Sequence, residues 1–504
     1  MLDPRVFFGG RKIAMRVMML GCAFALSKSA LRRVLVRPTS LFVGLVAAFA
    51  APLVFTNSAV AQGYVFAGYV TVPGNPLVSF GNSWVDPTLN MYFLADRSNK
   101  AIDVVTLEVN PKVFQIIPTG SINGAFAGTA GGNDSLSGPN GLMTVIDPPN
   151  TPVQLFVADG VGPVFSANCG GLNFSSVKVF TAASLPNPAQ VICTGSFQRA
   201  HQMCWAPPNP TGAGTWPGVN HVRPNGVILV THDPDPINFT SWITFIPTSG
   251  PSAYTVVSGE TLPAAASSPN NLGPNNLGQC VYDPTTDAIY LNDTDANTVL
   301  VIDPTARSIV NKFSVDKNFC GKPQGMALGS RTAPLVPGSG GDGQILLSCN
   351  SPGSDGAINS VSINNTTGAI VNIYENAGGN DQLYHTETPA VGPNGDWFLA
   401  GGSFFAGEQI VGLSPFVSSG MTGIGIPPPA MVMLVPTGFP GVTTRTTHSV
   451  ASWAGNVAGL GLLEAAIFPV PANGGGSPGF SSPICGSNAS VGCIAFYIQS
   501  PITE

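Results

Sequence analysis

An all-β fold built from one repeated four-stranded unit is predicted by three observations. One stretch carries four β-rich runs set apart by turn clusters, its opening runs return along the chain, and the composition is that of many turns between short apolar segments. The stretch is Gln279 to Val315, QCVYDPTTDAIYLNDTDANTVLVIDPTARSIVNKFSV. Asp283-Pro284 closes its first run, Asn292-Asp293 its second and Asp303-Pro304 its third. Short runs of β-branched and aromatic residues bounded by Gly, Pro, Asn and Asp read as strands. The 504 residues include 60 Gly and 46 Pro, yet 44% are hydrophobic and 9% charged. Disorder requires the opposite balance, few apolar residues and many charges.

The first 61 residues differ from the rest. They hold eight Lys or Arg and one acid, Asp3. Arg32, Arg33 and Arg37 precede the apolar run Leu41 to Phe55, and Ala59-Val60-Ala61 gives the small-x-small pattern of a signal-peptidase site. Residues 1–61 are therefore expected to be a cleaved secretory signal peptide, with the protein periplasmic or secreted and without a stable membrane span afterwards. Removing eight of the 20 basic residues and one of the 26 acidic ones moves the formal charge from −6 to −13. Twelve scattered cations cannot form the basic track that a phosphate backbone needs, which excludes nucleic acid as a partner.

Seven segments align on their first run: Gly81 (GNSWVDP), Asn140 (NGLMTVIDP), His201 (HQMCWAP), Leu277 (LGQCVYDP), Gln324 (QGMALG), His385 (HTETPAVGP) and His448 (HSVASWAG). The second run recurs with them, ending at Asp96, Asp159, His232, Asp293, Cys349 and Gly402. Self-similarity on this scale with four strands per unit is the mark of a β-propeller, and seven four-stranded blades are expected in a single domain over residues 62–504. The last segment is one strand short. YVFAGYVTV from Tyr64 can supply it, so pairing of the N- and C-terminal strands is expected to close the ring and remove its open edge.

Cys22 leaves with the signal, and eight cysteines remain. An even count in an exported chain reads as disulfides, of which 105 pairings are possible. Blade geometry favours Cys169–Cys193, Cys320–Cys349 and Cys485–Cys493, each within a blade, and Cys204–Cys280 between adjacent inner strands.

GPNGLMTVIDPPNTPVQLFVADG, from Gly138 to Gly160, is similar to blades of the regucalcin/gluconolactonase superfamily, and Lys322 to Met326 echoes a second motif of that family. The Gln279–Asp303 blade resembles YVTN and NHL repeats. The resemblance implies a divalent ion held by a first-blade Glu, an Asn and an Asp. Asn140 matches the Asn, whereas Gly81 and Gln324 stand at the other two positions. Streptogramin lyases, related propellers, pair a channel-mouth His with a metal.

Four of the five His fall on one expected rim: His201, His385 and His448 at inner-strand starts and His232 at a second-strand end. Neutral imidazoles from separate blades can converge on one ion, whose bound water becomes a nucleophile near neutral pH. The candidate metal ligands are His201, His385 and His448. His385, His448 and Glu387 are the candidate acid–base residues, and Asn140, Asp159, His232 and Gln324 the candidate substrate contacts. These residues point to a small-molecule ligand and to metal-assisted hydrolysis or elimination. The competing expectation is a non-catalytic scaffold for a protein partner, suited to the long uncharged Gly/Pro/Ser loops.

Overall fold

The computed structural model describes residues 64–499 apart from several internal stretches, the longest being 258–275, 330–342, 375–388, 414–430, 437–448 and 473–484. Every regular element among the described residues is a β-strand. The chain opens with β1 (Tyr64–Thr71) and continues into a first blade of β2 (Phe80–Asp86), β3 (Met91–Asp96), β4 (Ala101–Asn110) and β5 (Val113–Ile122). The second sheet is β6 (Leu142–Val145), β7 (Gln154–Asp159), β8 (Ser176–Thr181) and β9 (Gln190–Cys193), and the third is β10 (Ala200–Ala206), β11 (Val227–His232) and β12 (Trp242–Pro247). The stretch on which the sequence reading rests forms the fourth: β13 (Leu277–Asp283), β14 (Ala288–Asp293), β15 (Thr298–Asp303) and β16 (Ser308–Ser314). Then come β17 (Gly321–Leu328), β18 (Gln344–Ser351), β19 (Ser360–Asn364) and β20 (Ile370–Tyr374). The sixth sheet is β21 (Ala390–Val391), β22 (Trp397–Ser403), β23 (Gly407–Leu413) and β24 (Met431–Pro436). β25 (Ala451–Val457), β26 (Gly461–Val470) and β27 (Cys493–Gln499) complete the order.

These strands make a single β-propeller. The innermost strands touch in sequence, β2 to β6 to β10 to β13 to β17 to β21 to β25, and β25 returns to β2. β1 pairs antiparallel with β27 as the outermost strand of the last sheet, from Tyr64↔Gln499 to Thr71↔Cys493. The first and last described strands therefore share one sheet, as expected. The expectation of seven four-stranded blades needs correction: six blades are four-stranded, and the third sheet has three strands among the described residues. Beyond β12 the chain turns back along its edge. Tyr254 N donates to Pro247 O at 2.9 Å and Val257 N to Phe245 O at 3.3 Å, just before the undescribed stretch 258–275.

One turn chemistry explains much of the repeat. Asp86, Asp96, Asp283, Asp293 and Asp303 each end a strand and accept a backbone N–H two or three residues on, at 2.7–3.2 Å. The loop then closes on a residue in the left-handed region: Asn90, Lys100, Asp287, Asn297 and Arg307, all with φ between 51° and 58°. A short carboxylate that bonds the turn behind it is what Asp offers such loops. Asp96 and Asp293, read from the sequence as second-strand ends, are thus turn caps.

The core lies between blades. Phe93, Val104 and Ile122 of the first blade pack on Leu155, Val157 and Phe180 of the second, while Tyr92, Leu94 and Val105 pack on Trp453, Ile467 and Phe496 of the last sheet. The sheets whose side chains are described bury both faces against their neighbours, which is why their second strands read as nearly continuous apolar runs rather than alternating ones. All four expected disulfides are present, and Cys204–Cys280 joins β10 to β13 with a Cα–Cα distance of 5.9 Å. No helix among the described residues is long and apolar enough to cross a membrane.

Candidate functional site

The inner strands share one irregularity. The ladders to the second strands break between Phe80 and Ser83, between Ala200 and Met203, and between Leu277 and Cys280, with a shorter break between Pro323 and Gly325. Phe80 pairs with Asp96, Ala200 with His232 and Leu277 with Asp293, so the fourth-blade equivalent of Gly81 and His201 is Gly278. The sequence alignment, which placed Leu277 there, was one residue out. A β-bulge bends its strand and re-aims a side chain, and alternation cannot be read through it.

The bulges bring neighbouring inner strands into backbone contact. Asn82 N donates to Asn140 O at 3.0 Å, and Gly141 N donates to His201 O at 2.8 Å. A Cβ on Gly81 would meet Asn140 O at 2.6 Å, one on Gly141 would meet His201 O at 2.4 Å, and one on Gly278 would meet Gln324 O at 2.3 Å. Glycine is required at these three points because the next blade's backbone occupies the space.

Behind this collar lies a cavity of about 380 Å³ walled by residues from all seven inner strands. Asn82, Trp84, Met203, Gln279, Val281 and Ser452 belong to its wall, and among the described residues that line it none carries an ionisable side chain apart from the disulfide-bonded Cys204 and Cys280. Asn82 and Gln202 bind each other reciprocally: Asn82 Nδ2 donates to Gln202 Oε1, and Gln202 Nε2 donates to Asn82 Oδ1 at 3.2 Å. Gln279 Oε1 accepts from Met326 N at 2.9 Å. Ser83 and Ser449 exchange a hydroxyl bond at 2.7 Å across the closing seam, and Trp84 Nε1 donates to Thr144 Oγ1 at 2.9 Å.

The residues singled out from the sequence fall in different settings. Asn140 is 1% exposed; its Oδ1 accepts from the Arg97 guanidinium and its Nδ2 donates to Ser137 O at 3.2 Å. His201 is half-buried at the start of β10, with Nδ1 3.4 Å from Asp233 Oδ1 and Nε2 3.5 Å from Arg199. Arg199 in turn holds Asp233 at 2.8 Å. The imidazole thus sits between a guanidinium on one nitrogen and a carboxylate on the other. His232 is 1% exposed and bonds Thr244 Oγ1 at 2.9 Å; burial pushes its pKa down to about 4, so it stays neutral inside the blade. Asp159 is held at 2.5 Å by Lys178, which is wholly buried and lies 4.5 Å from the Phe126 ring centroid; burial lowers the Lys178 pKa, and the nearby Asp159 opposes that. Gln324 lies in the fifth-blade bulge beside Gly278. His385, His448 and Glu387 lie outside the described residues.

A divalent ion does not fit the described part of this rim. The family-matched Asn140 already accepts from one guanidinium, and His201 faces another. Among the described residues no group of three His, Cys, Asp or Glu could hold a metal. The sequence reading missed Asn82, Gln202 and Gln279. Their signal was their common offset, one residue after Gly81, His201 and Gly278. No protein-family model matches the chain, and no curated protein matches it. The resemblance to regucalcin-type and NHL-type blades therefore rests on the short motifs alone.

Proposed function

We propose that this chain is an exported β-propeller that binds one uncharged small molecule in the cavity at the centre of its ring. The observation that carries the reading is the cavity wall, which draws on every inner strand and, among the described residues, is polar through amides and hydroxyls without an ionisable group. Burying a charge there would carry a desolvation cost that no described side chain of the wall offsets, whereas a neutral ligand would find apolar walls with a few fixed polar contacts. Export is supported by the signal-like first 61 residues and by four disulfides. In this reading the three-stranded third sheet serves as the seventh blade of the ring.

Hydrolysis or elimination at the same mouth would draw on His385, His448 and Glu387. The Arg199–His201–Asp233 arrangement favours a binding rim over a metal centre, because both imidazole nitrogens face charged partners. The test is calorimetry of the purified protein against matched neutral and anionic small molecules, with Val281→Trp to fill the cavity. Neutral ligands should bind one per chain and be lost in Val281→Trp while the far-UV spectrum is unchanged. Preference for anions, or binding that survives the filled cavity, would sink the reading. Recovery of one stoichiometric protein partner with no small-molecule binding would favour the scaffold.

A further inference from the structure

The amide pair in the cavity wall has an unusual position. Asn82 belongs to the first blade and Gln202 to the third, 120 residues apart, so their side chains meet across the second blade. They meet there because the second blade presents Gly141 at the equivalent point, where the His201 backbone leaves no room for a Cβ. Two flexible amides, rather than backbone, thus form this part of the wall.

Most other polar groups of the wall are committed to the protein. The Ser83 hydroxyl is tied to Ser449, the Trp84 N–H to Thr144, and Gln279 Oε1 to Met326 N. A primary amide presents one acceptor and one N–H donor on its shared edge, with the second N–H directed off that edge, and here each such edge is satisfied by its twin. Such a pair can be opened without loss by a molecule that presents the same edge on two opposite sides. Each side chain would keep two hydrogen bonds, and the two bonds of the closed pair would become four. A molecule with acceptors alone would leave the two amide oxygens without a donor, which costs affinity in a dry site.

We propose that the Asn82–Gln202 pair is a recognition element for a neutral cyclic bis-amide, a ring carrying two cis-amide edges on opposite sides, which inserts between the two side chains. This rests on the small-molecule reading of the channel and names its ligand class. The probes are three rings of similar size: cyclo(Gly-Gly) with two amide edges, 2-piperidone with one, and cyclohexane-1,4-dione with two acceptors and no donor. Binding is measured on the whole protein by titration calorimetry and ligand-observed NMR.

Cyclo(Gly-Gly) should bind at least about tenfold more tightly than the dione, with 2-piperidone between them. Gln202→Leu should bring the three within about twofold of one another. Asn82→Asp, which keeps the side-chain shape and exchanges the donor for a carboxylate oxygen, should lower cyclo(Gly-Gly) binding by about tenfold if Gln202→Leu fails to fold. Equal affinities for the three rings in the native protein, lost in Val281→Trp, overturn amide recognition and leave the channel reading standing. Absence of binding by all three overturns the bis-amide assignment, and the neutral-ligand panel then decides the channel reading separately.

Discussion

Asp103 gives this protein a pH dependence that can be worked out from position alone. It lies on β4, 1% exposed, two residues past the Asp96↔Ala101 pair, so the two carboxyls share one face of the first blade. Burial, and then the charge of Asp96, push its pKa up to about 8, while Ser121 Oγ donates to it at 2.7 Å and opposes the rise. Burial raises Asp96 as well. In the unfolded chain Asp103 returns to its ordinary 3.8. Between about pH 4 and pH 8 the folded protein therefore holds a proton that the unfolded one has released. Stability contributed by that proton is complete below pH 4 and is lost as pH rises to 8, by up to about 1.4 kcal/mol per unit. The titration belongs to the coupled pair, so the loss over the window is expected to be on the order of a few kcal/mol. Asp103→Asn can still donate to Asp96 and accept from Ser121. Urea unfolding of both proteins at pH 5, 6.5 and 8 should show the variant gaining on the native protein at each step and exceeding it at pH 8. A constant difference between the two across the range would refute the shared-proton argument.

His232 acts in the opposite sense: its depressed pKa contributes stability above the unfolded value of 6.5 that is lost as pH falls toward 4, and His232→Gln should flatten that acid limb in the same titration. Asp287 is fully buried and held by Arg223 at 2.8 Å, Tyr282 at 2.7 Å and Asn209 at 3.0 Å, so Asp287→Ala should cost about 3–5 kcal/mol in urea unfolding. Replacing Cys204 and Cys280 together by Ser opens a crosslink across a sequence separation of 76 and should lower stability by about 2–4 kcal/mol, with the other three disulfides still detected by mass mapping. Gly141→Ala drives a Cβ into the His201 carbonyl and should cost about 1–3 kcal/mol by thermal unfolding, whereas Gly171→Ala, with nothing within 4 Å, should lose stability through its φ of +83° alone.

The blade unit was legible because its turns are chemical. Asp283 and Asp303 cap loops that end at left-handed Asp287 and Arg307, and the apolar runs between them need burial on both faces. From that register the four disulfides followed, since a strand's place in a blade fixes which cysteines lie within reach of each other. The closing partnership of β1 with β27 followed from one missing strand. The amide collar was less visible. Asn82, Gln202 and Gln279 are neutral residues of the kind any loop contains, and the bulges that aim them break the alternation by which a face is read. Histidines drew attention because they are few, yet the fold buries His232 against Thr244 and sets His201 between Arg199 and Asp233. By itself the sequence determined which segments become strands and how they order, because turn capping and burial act over a few neighbouring residues. Which polar groups face one another across the channel was decided by the tertiary structure alone, since Asn82 and Gln202 come together across the second blade, where Gly141 has no side chain.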